Sequence, residues 1–281
     1  MRPSFSAAIV LAGLAIAQPV ESQNVPAPAP PQLSYADLAD LAIDAPVVAH
    51  LRIRGTDTLD AEEAPNVAPG YRRLLVEAEV VALIRGEGGL APQVSYLVDL
   101  ANDSRGRAAR LRRRDEVLVL ARRVPNRPAE LRLAAPDAQL PYTPATAERL
   151  RAILRDSSAA GAAPRITGIG RAFHVPGSLP GESETQIFLQ TADNRPISLS
   201  ILRRPAERPR WSVALSEIVD EAAAPPAPDT LLWYRLACTL PPRLPPQSLS
   251  EAGADEARAI QADYRVVMDG LGACARTRVP R

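Results

Sequence analysis

Between Val47 and Leu100 apolar and polar residues alternate with a period of two, the signature of half-buried strands. In VVAHLRIRG, Val47, Ala49, Leu51 and Ile53 share one face, and Val48, His50, Arg52 and Arg54 share the other. In LLVEAEVVALIRG, Leu74, Val76, Ala78, Val80, Ala82 and Ile84 face one way, with Glu77, Glu79 and Arg85 opposite. VSYLVDL repeats the pattern, and EVLVLARRV and ELRL read as two more strands. Helical spacing appears on either side. Before the strands, SYADLADLAID opens on Ser34 with Asp37 three residues on, a capping box, and puts Leu38, Leu41 and Ala42 on one face. After them, Thr143 caps a helix with Pro144 in its first turn and Leu150, Ile153 and Leu154 as its buried stripe. Five strands and a helix within about 120 residues predict a small closed or half-open β-barrel over residues 34–156, with flanking helices.

SSAAGAAP, residues 157–164, reads as a small-residue linker, and a second β+α domain is expected over 165–281. RITGIGRAFHV is a strand whose glycines permit a bulge. TQIFLQT and ISLSILRR make a hairpin around Ala192–Pro196, and RWSVALSEI is a further strand. After AAAPPAP, Asp229 is expected to cap a helix, TLLWYRLACTL, and a last helix spans about Ala254 to Gly270. Ala259, Ile260, Tyr264, Val267 and Met268 form its apolar side, and Trp211, Trp233 and Tyr234 are expected in the core of this half. The fold class predicted is α+β and β-rich: an OB-like barrel, then a β-hairpin/α domain closed by one disulfide.

The first 17 residues change the picture of where the chain works. Arg2, an apolar run from Ala7 to Ala17 and the small-x-small Ala15-Ile16-Ala17 fit a signal peptide, with Val20-Glu21-Ser22 as a second fit for cleavage. Residues 18–33 read as a disordered Pro/Ala tether. A periplasmic or secreted protein without an integral membrane segment after cleavage is expected. In an oxidising compartment the two cysteines, Cys238 and Cys274, pair as one disulfide.

Composition excludes several chemistries. All 33 basic residues are arginine, so there is no Ser-Lys dyad, no phosphate-binding loop that needs Lys and no pyridoxal Schiff base. Without Arg2 the chain holds 32 basic and 32 acidic residues, which gives no reason to expect nucleic acid as a partner. Two histidines, His50 and His174, cannot supply a three-His zinc site, and no calcium loop of the DxDxDG type occurs. No metal and no cofactor is expected.

Three features carry candidate chemistry. HVPGSLPGESETQIF holds His174, Ser178, Glu182 and Glu184, the atoms a serine hydrolase needs. However, G-S-x-x-G is not the nucleophile elbow G-x-S-x-G, and a turn between strands accounts for the Gly and Pro residues. SRGRAARLRRRDEVLVLARR clusters Arg105, Arg107, Arg110, Arg112, Arg113, Arg114, Arg122 and Arg123. Guanidinium groups present a planar fork to carboxylates and phosphates, so Arg110, Arg112, Arg113 and Arg114 are candidate ligand-binding residues for an anion; a solvated loop is the plainer reading. His50, on the face of Arg52 and Arg54, is expected at an exposed or rim position.

The run of a short strand, a long strand ending in Arg85-Gly86, a third strand and DEVLVLARRV resembles the OB barrel of netrin-like and metalloproteinase-inhibitor-like modules over roughly residues 45–141. Those modules begin with a cysteine near the inhibitory edge, which this chain lacks, so the resemblance implies the barrel and not the inhibition. GIGRAFHVPGSLPGESETQIFLQT, LRRP and VDEAAAPPAPDTLLWYRLAC resemble uncharacterised exported proteins of high-GC Gram-negative bacteria, a likeness that implies export and no activity. The function expected is a non-enzymatic binding or envelope-associated module, its partner a protein or an anionic envelope component. The alternatives are a periplasmic hydrolase using His174 as general base with Ser178 or a distant Ser, and a protease inhibitor.

Overall fold

A computed structural model of the chain describes residues 33–60, 62–103, 106–107, 110–215 and 224–278. The expected signal peptide, most of the expected tether, Arg105 and the end of RWSVALSEI lie outside the described residues. Helix α1 (Tyr35–Ala42) begins with the expected capping box: Ser34 Oγ accepts the Asp37 N–H at 3.0 Å, and the Asp37 carboxylate accepts the Ser34 N–H at 3.1 Å. Strands β1 (Val47–Thr58), β2 (Tyr71–Arg85), β3 (Gln93–Ala101), β4 (Glu116–Val124) and β5 (Arg127–Leu133) follow, then the short β6 (Gln139–Pro141), which the pattern did not reveal.

These strands close a five-stranded barrel in the order β1-β2-β3-β5-β4 and back to β1, with β6 beside β4. Closure depends on β1, whose first six residues pair with β4 (Val47↔Ala121 to Arg52↔Glu116) while the stretch from Val48 to Thr58 pairs with β2. Serving two neighbours requires strong coiling, and β1 shows three register shifts against β2, including one at Arg54. The predicted inward set Val47, Ala49, Leu51 and Ile53 is buried. His50 is buried as well, only 7% exposed, rather than at an exposed or rim position. Its ring stacks on Tyr142 at 3.8 Å, and Nε2 lies 3.0 Å from Glu116 Oε2.

Helix α2 (Pro144–Ser158) is capped by Thr143 and runs through the first two residues of the expected linker. Strands β7 (Ile166–Pro176), β8 (Ser183–Thr191), β9 (Ile197–Arg203) and β10 (Arg210–Ala214) form an antiparallel sheet in the order β10-β9-β8-β7. Helix α3 (Leu231–Ala237) is capped by Thr230, not Asp229: Thr230 Oγ1 accepts the Trp233 N–H, while Asp229 sits one residue outside with a left-handed φ of 58°. Helix α4 (Ala254–Leu271) buries Ile260, Asp263, Tyr264, Val267 and Leu271. Gly270 lets α4 approach Trp211, because a Cβ there would come within 2.4 Å of the indole Nε1. Trp211 and Trp233 are buried, and the Trp233 indole N–H donates to Leu271 O at 2.8 Å. Cys238 and Cys274 form the disulfide. The buried side chains of barrel and second sheet belong to one continuous apolar cluster.

Candidate functional site

The barrel is weakest where β3 and β5 meet. Their parallel pairing covers only Ser95↔Glu130 and Tyr96↔Leu131. Beyond it the strands part, and contact resumes where the Asp99 N–H donates to Pro136 O at 2.8 Å. A groove of about 710 Å³ opens along this seam, lined by Arg73, Leu75, Leu97, Arg122, Val124 and Arg132 among others. Leu97 is 45% exposed in the groove, an apolar side chain without a covering partner among the described residues.

The charges of the groove fall into two groups. Arg73 is committed: Nε donates to Asp99 Oδ1 at 2.7 Å and Nη2 to Oδ2 at 2.9 Å, and Asp99 is only 6% exposed. That fork raises the Arg73 pKa further and locks the pair into the wall. Glu130 is likewise held by Arg127 at 3.0 Å. Arg122 and Arg132 are different. They stand directly opposite each other in the antiparallel β4–β5 pairing, and neither side chain has a carboxylate or a hydrogen-bond partner among the described residues. Like charges directly opposite on a sheet are destabilising, so this pair opposes folding unless an anion lies between its members.

A second depression, of about 580 Å³, meets the first at Arg122 and is also lined by Arg85 and Arg123. Arg85 donates to the C-terminal carbonyls of α1, Ala42 O at 3.2 Å and Ile43 O at 2.9 Å. Arg123 donates to Glu87 O and Gly89 O. Of the three, Arg122 alone makes no side-chain hydrogen bond among the described residues.

The arginines expected as ligand-binding residues are divided. Arg113 and Arg114 line a separate depression with Arg52 and Arg54. Arg110 and Arg112 line none of these depressions and are exposed, with the Arg112 N–H bound to Asp115 at 2.7 Å.

The residues of the His174 loop do not gather around one point. His174 is opposite Thr185 in the β7–β8 ladder and Glu184 opposite Val175, so His174 and Glu184 belong to opposite faces of the sheet. Glu184 accepts from Ser200 Oγ and Gln186 Nε2 on that other face. Glu182 serves the turn itself, accepting from the Leu179 N–H, while the Gly177 N–H donates to Glu182 O. Ser178 is exposed in that turn and has no side-chain hydrogen bond among the described residues.

His174 has instead acquired a partnership across four elements. Thr185 Oγ1 donates to Asp263 Oδ2 at 2.5 Å and therefore accepts from His174 Nδ1–H at 2.8 Å, which leaves Nε2 as the free ring nitrogen. Arg203 Nε donates to Asp263 Oδ1 at 2.5 Å. Sequence reasoning missed Asp263, Thr185 and Arg203 because each comes from a different element, and only the packed sheet and helix bring them together.

Among the described residues no cluster of His, Cys, Asp and Glu could hold a metal ion, and no helix is long and apolar enough to cross a membrane. No protein-family model matches the chain, and no curated protein matches it in sequence.

Proposed function

We propose that this protein is an exported, non-enzymatic binding module whose barrel groove holds an anionic ligand with an apolar body. One observation carries the reading: Arg122 and Arg132 face each other without a counter-charge, beside the apolar Leu75, Leu97 and Val124. Two guanidinium forks offer bidentate hydrogen bonds to a carboxylate, phosphate or sulfate, and the apolar wall suits a hydrocarbon segment attached to it. The Cys238–Cys274 disulfide and the first 17 residues support an oxidising compartment as the place of work. The hydrolase reading has no such support, since among the described residues no nucleophile hydrogen-bonds to His174 Nε2.

The test is a titration with straight-chain carboxylates of increasing length, followed by calorimetry at low ionic strength. Affinity is expected to rise with chain length, and Arg132→Gln to weaken binding about tenfold, the loss of one charge-assisted pair. Affinities independent of both chain length and Arg132 would overturn the reading. A second outcome follows from the same geometry. Without ligand, Arg132→Thr is expected to stabilise the fold by about 0.5 kcal/mol, because it removes the opposed charge and introduces a good strand former. Urea denaturation of the two proteins checks the sign.

A further inference from the structure

At the other end of β4, roughly 20 Å of strand from Arg122, two backbone irregularities converge on one spot. In β1, Ile53 pairs with Ala78 and Gly55 with Glu77, so Arg54 is the extra residue of a bulge. In the loop before β4, Arg114 adopts φ 76°, a left-handed conformation that disfavours every side chain except Asn or Asp. These features interlock: the Arg114 N–H donates to Ile53 O at 2.8 Å, and the Ile53 N–H donates to Asp115 O at 2.9 Å. The result is a depression of about 260 Å³ lined by Arg52, Ile53, Arg54, Arg113 and Arg114.

Four arginines line so small a depression, and carboxylates offset only half of their charge. Glu116 holds Arg52 at 3.0 Å, and Glu79 holds Arg54 at 3.3 Å. Arg113 and Arg114 have no carboxylate and no side-chain hydrogen bond among the described residues. Glycine would occupy the Arg114 position without strain. An arginine held there, against conformational preference and beside three others, makes sense if its guanidinium has a ligand.

We infer that Arg52, Arg54, Arg113 and Arg114 form a site for a compact oxyanion, a phosphate or sulfate group, separate from the barrel groove. Arg113 and Arg114 supply the free forks, and Arg52 and Arg54, already oriented by Glu116 and Glu79, complete the positive wall. A net charge near neutrality for the whole chain makes this a local site rather than a general polyanion surface.

The experiment uses the mature, disulfide-bonded protein and two probes. Inorganic phosphate is titrated against the backbone amide signals, with chloride at equal ionic strength as control. Vesicles of phosphatidylglycerol in phosphatidylcholine are tested by flotation. Saturable shifts at Arg113, Arg114 and Ile53 with phosphate and not with chloride are expected. Arg113→Gln should weaken phosphate binding about tenfold. Arg114→Gly should weaken it as much while melting no lower than the parent, because it relieves the left-handed strain. That combination separates a ligand site from a structural role. The groove variant Arg122→Gln should leave the phosphate-induced shifts at Arg113, Arg114 and Ile53 unchanged, whatever it does to signals in the groove. Flotation lost in Arg113→Gln would place the oxyanion on a lipid headgroup; phosphate binding without flotation would make it a soluble ion. Shifts equal in chloride, or binding retained by both Arg113→Gln and Arg114→Gly, would overturn the inference.

Discussion

Replacing Asp263 with alanine is expected to destabilise the fold by about 3 kcal/mol, the cost of breaking a buried ion pair at the lower end of its range. Asp263 is 0% exposed on the face of α4 that meets the second sheet, and its two oxygens accept from Arg203 Nε and Thr185 Oγ1, both at 2.5 Å. Alanine leaves both donors without an acceptor, and each unsatisfied buried group costs about 1–3 kcal/mol. Arg203 is half-buried and can turn towards water, which keeps the loss from reaching the top of that range. Thr185 cannot, since it is fully buried, and His174 loses the chain that fixes its ring. The measurement is the urea midpoint, with Asp263→Asn as a second variant that keeps one acceptor and should lose less. A loss below about 1 kcal/mol for Asp263→Ala would show that the sheet and α4 hold together on apolar packing alone.

The contrast between Asp263 and its neighbours shows what was legible beforehand. Helical spacing picked out Ala259, Ile260, Tyr264, Val267 and Met268 as the apolar side of α4; Ile260, Tyr264 and Val267 are buried, and Ala259 and Met268 are half-buried. Asp263 lies in that same stripe but carries the wrong chemistry for a reading based on apolar periodicity, so its burial became visible only with Arg203 and Thr185 beside it. The barrel divides in the same way. Period-two alternation located the five strands because each records its own burial locally. Register is a property of two strands, which neither records alone. The turn at Pro125-Asn126, with Asn126 left-handed at φ 61°, joins Val124 to Arg127 and would by simple counting place Ala129 opposite Arg122. An irregularity between Arg123 and Val124 shifts the pairing by three residues and brings Arg132 there instead. The groove's defining pair was therefore hidden, although both arginines stand in strands that the pattern marked. Arg113 and Arg114 were singled out by their density, yet Arg52 and Arg54 join them through a bulge that alternation alone does not announce.

Removing the disulfide by Cys238→Ser with Cys274→Ser is expected to cost about 4 kcal/mol, from the chain entropy of a loop closed across 36 residues. Its consequence should reach beyond the loop, because Cys274 precedes a segment, Arg276 to Arg278, that is tied to α1 and to the β5–β6 connection of the barrel. Arg276 forks onto Asp40 at 2.7 and 3.2 Å, and Arg278 onto Asp137 at 2.7 and 3.1 Å. Asp37, only 1% exposed, accepts from the Thr277 hydroxyl at 2.6 Å and from the Thr277 and Arg278 N–H groups. Burial works against the charge of Asp37, but these bonds and those from Ser34 outweigh it and hold the carboxyl below its ordinary value of 3.8. A carboxyl with a depressed folded pKa contributes stability that is complete above 3.8 and is lost as pH falls through the folded value. The parent protein should therefore lose stability on acidification in that window, as seen by urea denaturation at stepped pH. In the double Cys variant that segment is less firmly held, Asp37 keeps fewer donors, and the acid-dependent loss should shrink. The two effects are then non-additive, as expected for groups that act through one strap. An acid loss of the same size in both proteins would mean that the ion pairs to Asp40 and Asp137 hold the segment on α1 without help from the disulfide.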